Sequence, residues 1–277
     1  MPCHITLATS GAIILSDVSQ LPRMMWPGVD AIEIGSLASE ADLQTVLDAV
    51  QARRIAWGLH APLWRAGPNR VPMAAAGLSA DEKHHLRRDI ARAASHGAAY
   101  ALVHAPWFAD HSLAIVDART LSRHTVRFLA DLGAEFQTPV ALELKLGRNR
   151  DPGILAYLVP EPRAFLNLNP DGVTFCLDTG DWLLACEELG IDPLRSFEPF
   201  APWTSVIHVH AVERGVQPYL WKPIHPSDPD AAAVRRLCLC AKAARSELTV
   251  VFEHTPHLDP GLSYDLEGYR WLLSALL

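Results

Sequence analysis

The chain has no CxxC pair, no surplus of basic residues and no apolar run long enough to cross a bilayer, and each absence removes a class of protein. Its five cysteines are Cys3, Cys176, Cys186, Cys238 and Cys240, and the nearest pair, Cys238 and Cys240, sits in a helix-like segment. That spacing offers neither a zinc ribbon nor a thioredoxin-type motif, and buried free thiols in a reducing cytosol are expected. Acidic residues outnumber basic ones, 31 to 24, giving a net charge of −7. Such a surface is not built to attract a polyanion such as DNA, although a local basic pocket remains compatible with it. No stretch reaches the ~20 apolar residues of a membrane span. The opening MPCHITLATSGAIILS lacks the basic start and long apolar core of a signal peptide. A soluble, cytoplasmic protein is expected. Low-complexity linkers, charge blocks and shifts in composition are also missing, so residues 1–277 read as a single domain.

What is present is an alternation of short β-branched runs with longer amphipathic segments, the pattern of parallel βα units. The strand candidates are HITLATS from His4, DAIEIG from Asp30, RIAWGLH from Arg54, AYALVH from Ala99, PVALELK from Pro139, VTFCLD from Val173, SVIHVH from Ser205 and LTVVFEH from Leu248. Their interiors are almost continuously apolar, as strands covered on both faces require. Leu43, Val46, Leu47 and Val50 form a helical stripe, as do Leu121, Phe128, Leu129 and Leu132. Ser79, with Glu82 three residues later, reads as a capping box that opens the third helix. A (β/α)8 barrel uses about 250 residues as one unit, and a doubly wound open sheet would carry a Gly-rich phosphate loop after its first strand. GSLAS, after Ile34, is not such a loop. The expected fold is therefore α/β, a single (β/α)8 TIM barrel. Its long connections, 61–78, 105–115 and 211–229, follow strand C-termini, the end at which such barrels place their sites.

Every strand candidate but the first finishes in a side chain able to bind metal: Glu33, His60, His104, Glu143, Asp178, His208 with His210, and Glu253. Closing parallel strands into a barrel brings these ends to one rim. Carboxylates and imidazoles ending apolar strands are costly to bury without a partner, and a divalent cation supplies one charge centre for all of them. The donor types suit Mn2+ or Zn2+, with Co2+ and Mg2+ as alternatives. His84, His85, His96 and His124 fall in helical stretches, where solvent exposure is a sufficient reading. His208 and His210 are two apart and point to the same side, so either can be the ligand.

With these residues in view, the chain resembles the xylose-isomerase-like barrel superfamily, which includes sugar isomerases and epimerases, inosose dehydratases and the endonuclease IV group. The resemblance rests on AIEIG, GLHAP, LVHAP, VALELK, CLDTGD, HVHAVE and VFEHTP, in order and at similar spacing. In the epimerase branch it implies one metal held by Glu143, Asp178, His210 or His208, and Glu253. His210 is favoured because Glu213 stands three residues after it. Glu143 and Glu253 would then exchange the substrate proton. The endonuclease IV branch implies further ligands at His60, His104, Asp181 and His225. Asp181 stands where that branch has a histidine and Pro223 where it has an aspartate, so one or two metals are expected rather than three.

Lys145, Arg148 and Arg150 follow the fifth strand, and Arg214 and Lys222 lie in the seventh loop. They could hold a phosphate or carboxylate, or form a solvated loop. Trp64, Trp107, Trp182 and Trp221 follow strand ends, where they could stack on a sugar ring or pack the loops. VQPYLWKPIHP reads as a candidate lid. The leading expectation is a metal-dependent isomerase or epimerase of a sugar, sugar phosphate or related polyol. A metal-dependent phosphodiesterase or phosphatase is the alternative from another class, and a barrel that binds without turnover is a third. The expected partner is a small polyhydroxylated or phosphorylated molecule, without membrane or nucleic acid; a homo-oligomer is left open.

Overall fold

Strands that are apolar on both faces must be covered from inside and outside, and a closed barrel wrapped in helices does both. A computed structural model of the chain describes residues 3–10, 18–65, 80–104, 115–143, 173–214, 220–253 and 263–277. Its strands are β1 (His4–Ser10), β2 (Ala31–Ile34), β3 (Ala56–His60), β4 (Ala101–His104), β5 (Val140–Glu143), β6 (Val173–Asp178), β7 (Thr204–Val209), β8 (Ala211–Glu213), β9 (Leu220–Lys222) and β10 (Glu247–Glu253). Eight of them close in the order β1-β10-β7-β6-β5-β4-β3-β2, all pairs parallel. All eight strand candidates read from the sequence are barrel strands, and the fold is a (β/α)8 TIM barrel.

Helices cover the outside. The Ser39 hydroxyl caps Glu40–Arg53 by accepting from the Asp42 N–H, and Leu43, Val46 and Val50 turn inward while Leu47 packs at the edge. Leu129 and Leu132 of Ile115–Phe136 are buried, with Phe128 partly so; the Leu121 side chain lies outside the described residues. The helix Ala80–Ser95 begins directly after Ser79, which lies outside them too. Among the described residues, no helix is long and apolar enough to cross a membrane. One segment differs from expectation. The connection 211–229 was read as loop, yet β8 and β9 pair antiparallel within it. Residues 216–219 of the candidate lid lie outside the described residues, and the part after them is tied down by an ion pair between Lys222 and Asp228 at 2.6 Å.

The register explains where the polar ring sits. Ala8, Ala31, Leu102, Ala141, Cys176, Val206 and Val251 form an apolar cluster with Tyr100. Two residues further along the same strands, hence on the same face, come Ser10, Glu33, His104, Glu143, Asp178, His208 and Glu253. His60 stands in the same relation to Gly58. Around the barrel, Glu33 pairs with Gly58, His60 with Leu102, Glu143 with Cys176 and His208 with Val251. Each is a two-residue step, and together they give the shear of about eight expected of this barrel. The chain thus closes its barrel with an apolar plug and sets every polar strand end above it.

Gly58 has a specific reason to lack a side chain. A Cβ there would meet the Tyr100 ring at 2.4 Å. The ring fills the space beside Gly58, and its hydroxyl reaches Glu33. Gly58→Ala should therefore overpack the barrel interior and cost about 1–3 kcal/mol, read as a lower urea midpoint at unchanged m-value. Wild-type stability in this variant would count against so tight a packing.

Candidate metal centre

Each ring member is aimed by its strand and then by its neighbours. Asp178 ends β6 and caps the helix Thr179–Leu189, its Oδ1 accepting from the Asp181 N–H at 2.8 Å. The Thr179 hydroxyl donates to the His210 carbonyl at 2.9 Å and accepts from the His210 N–H at 3.1 Å. That double tie sets the end of β7 beside the end of β6 and leaves His210 Nε2 2.7 Å from Asp178 Oδ1. Glu253, from β10, closes the group, with Oε2 3.7 Å from His210 Nε2.

His208, one pleat lower, meets different partners. Its Nε2 lies 2.9 Å from Glu33 Oε1, and its Nδ1 lies 3.1 Å from Glu253 Oε1 and 3.6 Å from Glu143 Oε2. The Tyr100 hydroxyl donates to Glu33 Oε2 at 2.7 Å. His60 stacks on His208, with ring centroids 5.7 Å apart. On the far side, His60 Nε2 and His104 Nε2 are 3.3 Å apart, and they approach Glu143 Oε2 to 3.7 and 3.3 Å.

Burial makes these charges consequential. Glu33, Glu143, His208 and His210 are fully buried, and Asp178, Asp181 and Glu253 nearly so. Burial opposes the imidazolium of His208, yet Cys176, Glu33 and Glu253 hold its pKa well above the ordinary histidine value. His210 is raised likewise, against burial, by Asp178 and Glu253. Burial also opposes ionisation of Glu253, but His208 and His210 hold it well below the usual carboxylate range. His60 moves the other way, pushed toward its neutral form by burial and by His104. The buried Cys176 thiol is pushed up to about 12 by desolvation.

Several sequence-read candidates are placed elsewhere. His225 does not join the ring: its Nε2 is 3.3 Å from Glu267 and its Nδ1 2.6 Å from the Ser227 hydroxyl, because the β8–β9 pair carries it away from the strand ends. Arg214 binds both oxygens of Asp230, at 2.8 and 3.0 Å, and Glu187 at 2.9 Å, which explains its raised pKa. Like Lys222, it is spent on ion pairs of the frame rather than held for an anionic ligand. Trp182 is fully buried, donates to the Pro193 carbonyl and packs edge-on against Phe197 and Phe200, so it is core. Trp64 bridges to Leu37 and packs against the core. Trp107, Lys145, Arg148 and Arg150, and the Trp221 side chain, lie outside the described residues. Sequence reading named Glu33 as a strand end able to bind metal but left it out of the ligand sets, and it gave no place in the ring to Tyr100 or Cys176. A period-two reading could have found both, since Tyr100 is four residues before His104 and Cys176 two before Asp178.

The donors fit a divalent cation. Ligand atoms of Asp178, His210 and Glu253 lie within 4.8 Å of one another, as do those of Glu143, Asp178 and Asp181. Asp178 belongs to both groups and joins Glu143 to His210 and Glu253. Carboxylate oxygen with imidazole nitrogen is the donor chemistry of Mn2+ and Zn2+. Among the described residues these carboxylates meet imidazoles, the Tyr100 hydroxyl and the Asp181 N–H. A cation would add positive charge among them.

No family model and no curated protein matches this chain. Solved structures do. A D-tagatose 3-epimerase-like protein superposes with a TM-score of 0.69 at 13% identity, over 98% of this chain and 97% of the other. A xylose isomerase domain protein from Planctomyces limnophilus gives 0.66 at 15% identity, over 100% and 98%. The IOLI protein, solved with a bound zinc atom, gives 0.64 at 13%, over 98% and 99%. Matches that span both chains nearly from end to end at such low identity speak to architecture, and the architecture they share with this chain is the (β/α)8 TIM barrel.

Proposed function

We propose that this chain is a divalent-metal-dependent isomerase or epimerase of a sugar or related polyol. The observation that carries the reading is the continuous donor set of Glu143, Asp178, His210 and Glu253, which contains two glutamates from well-separated strands. The D-tagatose 3-epimerase-like and zinc-bearing neighbours support it. The four residues would hold the cation, which when bound supplies Lewis-acid polarisation of a substrate carbonyl.

The proton work falls to the chain itself. In barrel order β10 and β5 flank β7 and β6, so Glu253 and Glu143 stand on either side of His210 and Asp178. A substrate carbon seated between them would lose its proton to one carboxylate and regain one from the other carboxyl on the opposite face, through an enediolate. Glu253 is held ionised by His208 and His210, the form in which it can ligate a cation. Lys145 and Arg148 are the proposed contacts for an anionic substituent, and Trp107 for the sugar ring. Glu143→Gln or Glu253→Gln should slow exchange of the substrate carbon-bound proton with solvent deuterium by roughly 10²–10⁴-fold, followed by NMR on metal-loaded protein. Absence of exchange across a broad ketose panel with the wild-type protein would contradict the proposal.

One observation favours a second reading. His60 and His104 converge on Glu143, and His60 is held neutral, the form that ligates metal. A second ion there would suit a phosphoester hydrolase, one ion activating water and the other holding the leaving oxygen. Elemental analysis separates the two. Isomerisation predicts one ion per chain, retained in His60→Ala and His104→Ala; hydrolysis predicts two, falling to one in either variant.

A further inference from the structure

His208 and His210 are two residues apart on one face of β7, both fully buried, yet their surroundings give them different work. Each ring nitrogen of His208 faces carboxylate oxygen: Nε2 meets Glu33 at 2.9 and 3.2 Å, and Nδ1 meets Glu253 at 3.1 Å. The His208 ring therefore bridges Glu33 to Glu253 by contact between fully or nearly fully buried side chains. Glu33 is itself fixed from the other side by the Tyr100 hydroxyl at 2.7 Å, and the Tyr100 ring occupies space that only a glycine at position 58 leaves open. Gly58, Tyr100, Glu33, His208 and Glu253 thus form one line of contacts. It runs from the barrel plug to a carboxylate of the donor set, and it is drawn from four strands and the residue preceding β4.

We infer that Glu33 and His208 are positioning residues, a buried pair that orients Glu253 toward the metal position. The inference rests on the proposed metal-dependent function and adds to it a supporting layer that the donor set alone does not reveal. Outer partners of this kind commonly change metal affinity by roughly 10–100-fold when removed. The pair also explains why β2, which gives nothing to the donor set of Glu143, Asp178, His210 and Glu253, nonetheless ends in a fully buried acid.

The test uses the full-length protein, stripped of metal and titrated with Mn2+ alone by calorimetry, with far-UV circular dichroism and urea unfolding to verify the fold. Glu33→Gln should bind Mn2+ roughly 10–100-fold more weakly than wild type, and the visible bands of its Co2+-loaded form should shift because Glu253 is no longer held. Tyr100→Phe removes one hydroxyl and keeps the ring, so it should fold even if Glu33→Gln does not, and should weaken Mn2+ binding severalfold. Wild-type affinity and an unshifted Co2+ spectrum in the folded variants would overturn the inference while leaving the metal-dependent function standing. Failure of the wild-type protein to bind Mn2+ or Zn2+ would overturn both.

Discussion

Everything in this molecule turns on the cost of placing ionisable side chains inside a barrel. Glu33, Glu143, Asp178 and Glu253 end strands whose preceding residues are packed apolar surface, and they are withdrawn from water almost completely. A carboxylate in that position is tolerable when cations or donors surround it. The barrel supplies four imidazoles, a tyrosine hydroxyl and helix-capping N–H groups, and the proposed function has a divalent ion complete the set. The shear of the sheet distributes these groups over successive heights, so that the carboxylates of β2, β5, β6 and β10 all come within reach of an imidazole.

The two histidines of β7 show how little residue type decides. Sequence spacing puts His208 and His210 on the same face, and nothing in SVIHVH separates them. Height in the barrel does. The lower ring is enclosed by Glu33, Glu143 and Glu253 beneath the stacked His60, whereas the upper ring is tied through its backbone to Thr179 and through its side chain to Asp178. Partner geometry, not the imidazole itself, distinguishes the two rings.

Much of the fold was legible because each barrel strand carries a largely apolar interior and a polar residue at or next to its last position, signals local to a handful of positions. The ring was legible for the same reason. What could not be read were pairings between residues distant in the chain. Arg214 and Lys222 looked available for an anionic substrate, but Asp230, Glu187 and Asp228 claim them. His225 kept a suggestive spacing from His210, and the intervening β8–β9 pair took it toward Glu267. Trp182 followed a strand end like the other tryptophans, and its place on the first turn of a helix turned it into the core. Glu33 was visible as a strand end, but its role depends on Tyr100, whose hydroxyl reaches it across β3.

The central claim is that the buried carboxylate and imidazole ring is a cation site with His210, and not His208, as the histidine ligand. Anomalous diffraction from a crystal of the Mn2+-loaded protein tests it most directly. The account predicts an ion bounded by Asp178, His210 and Glu253, with His208 still between Glu33 and Glu253. A ring that stays free of metal under saturating Mn2+, or an ion ligated by His208, would contradict it.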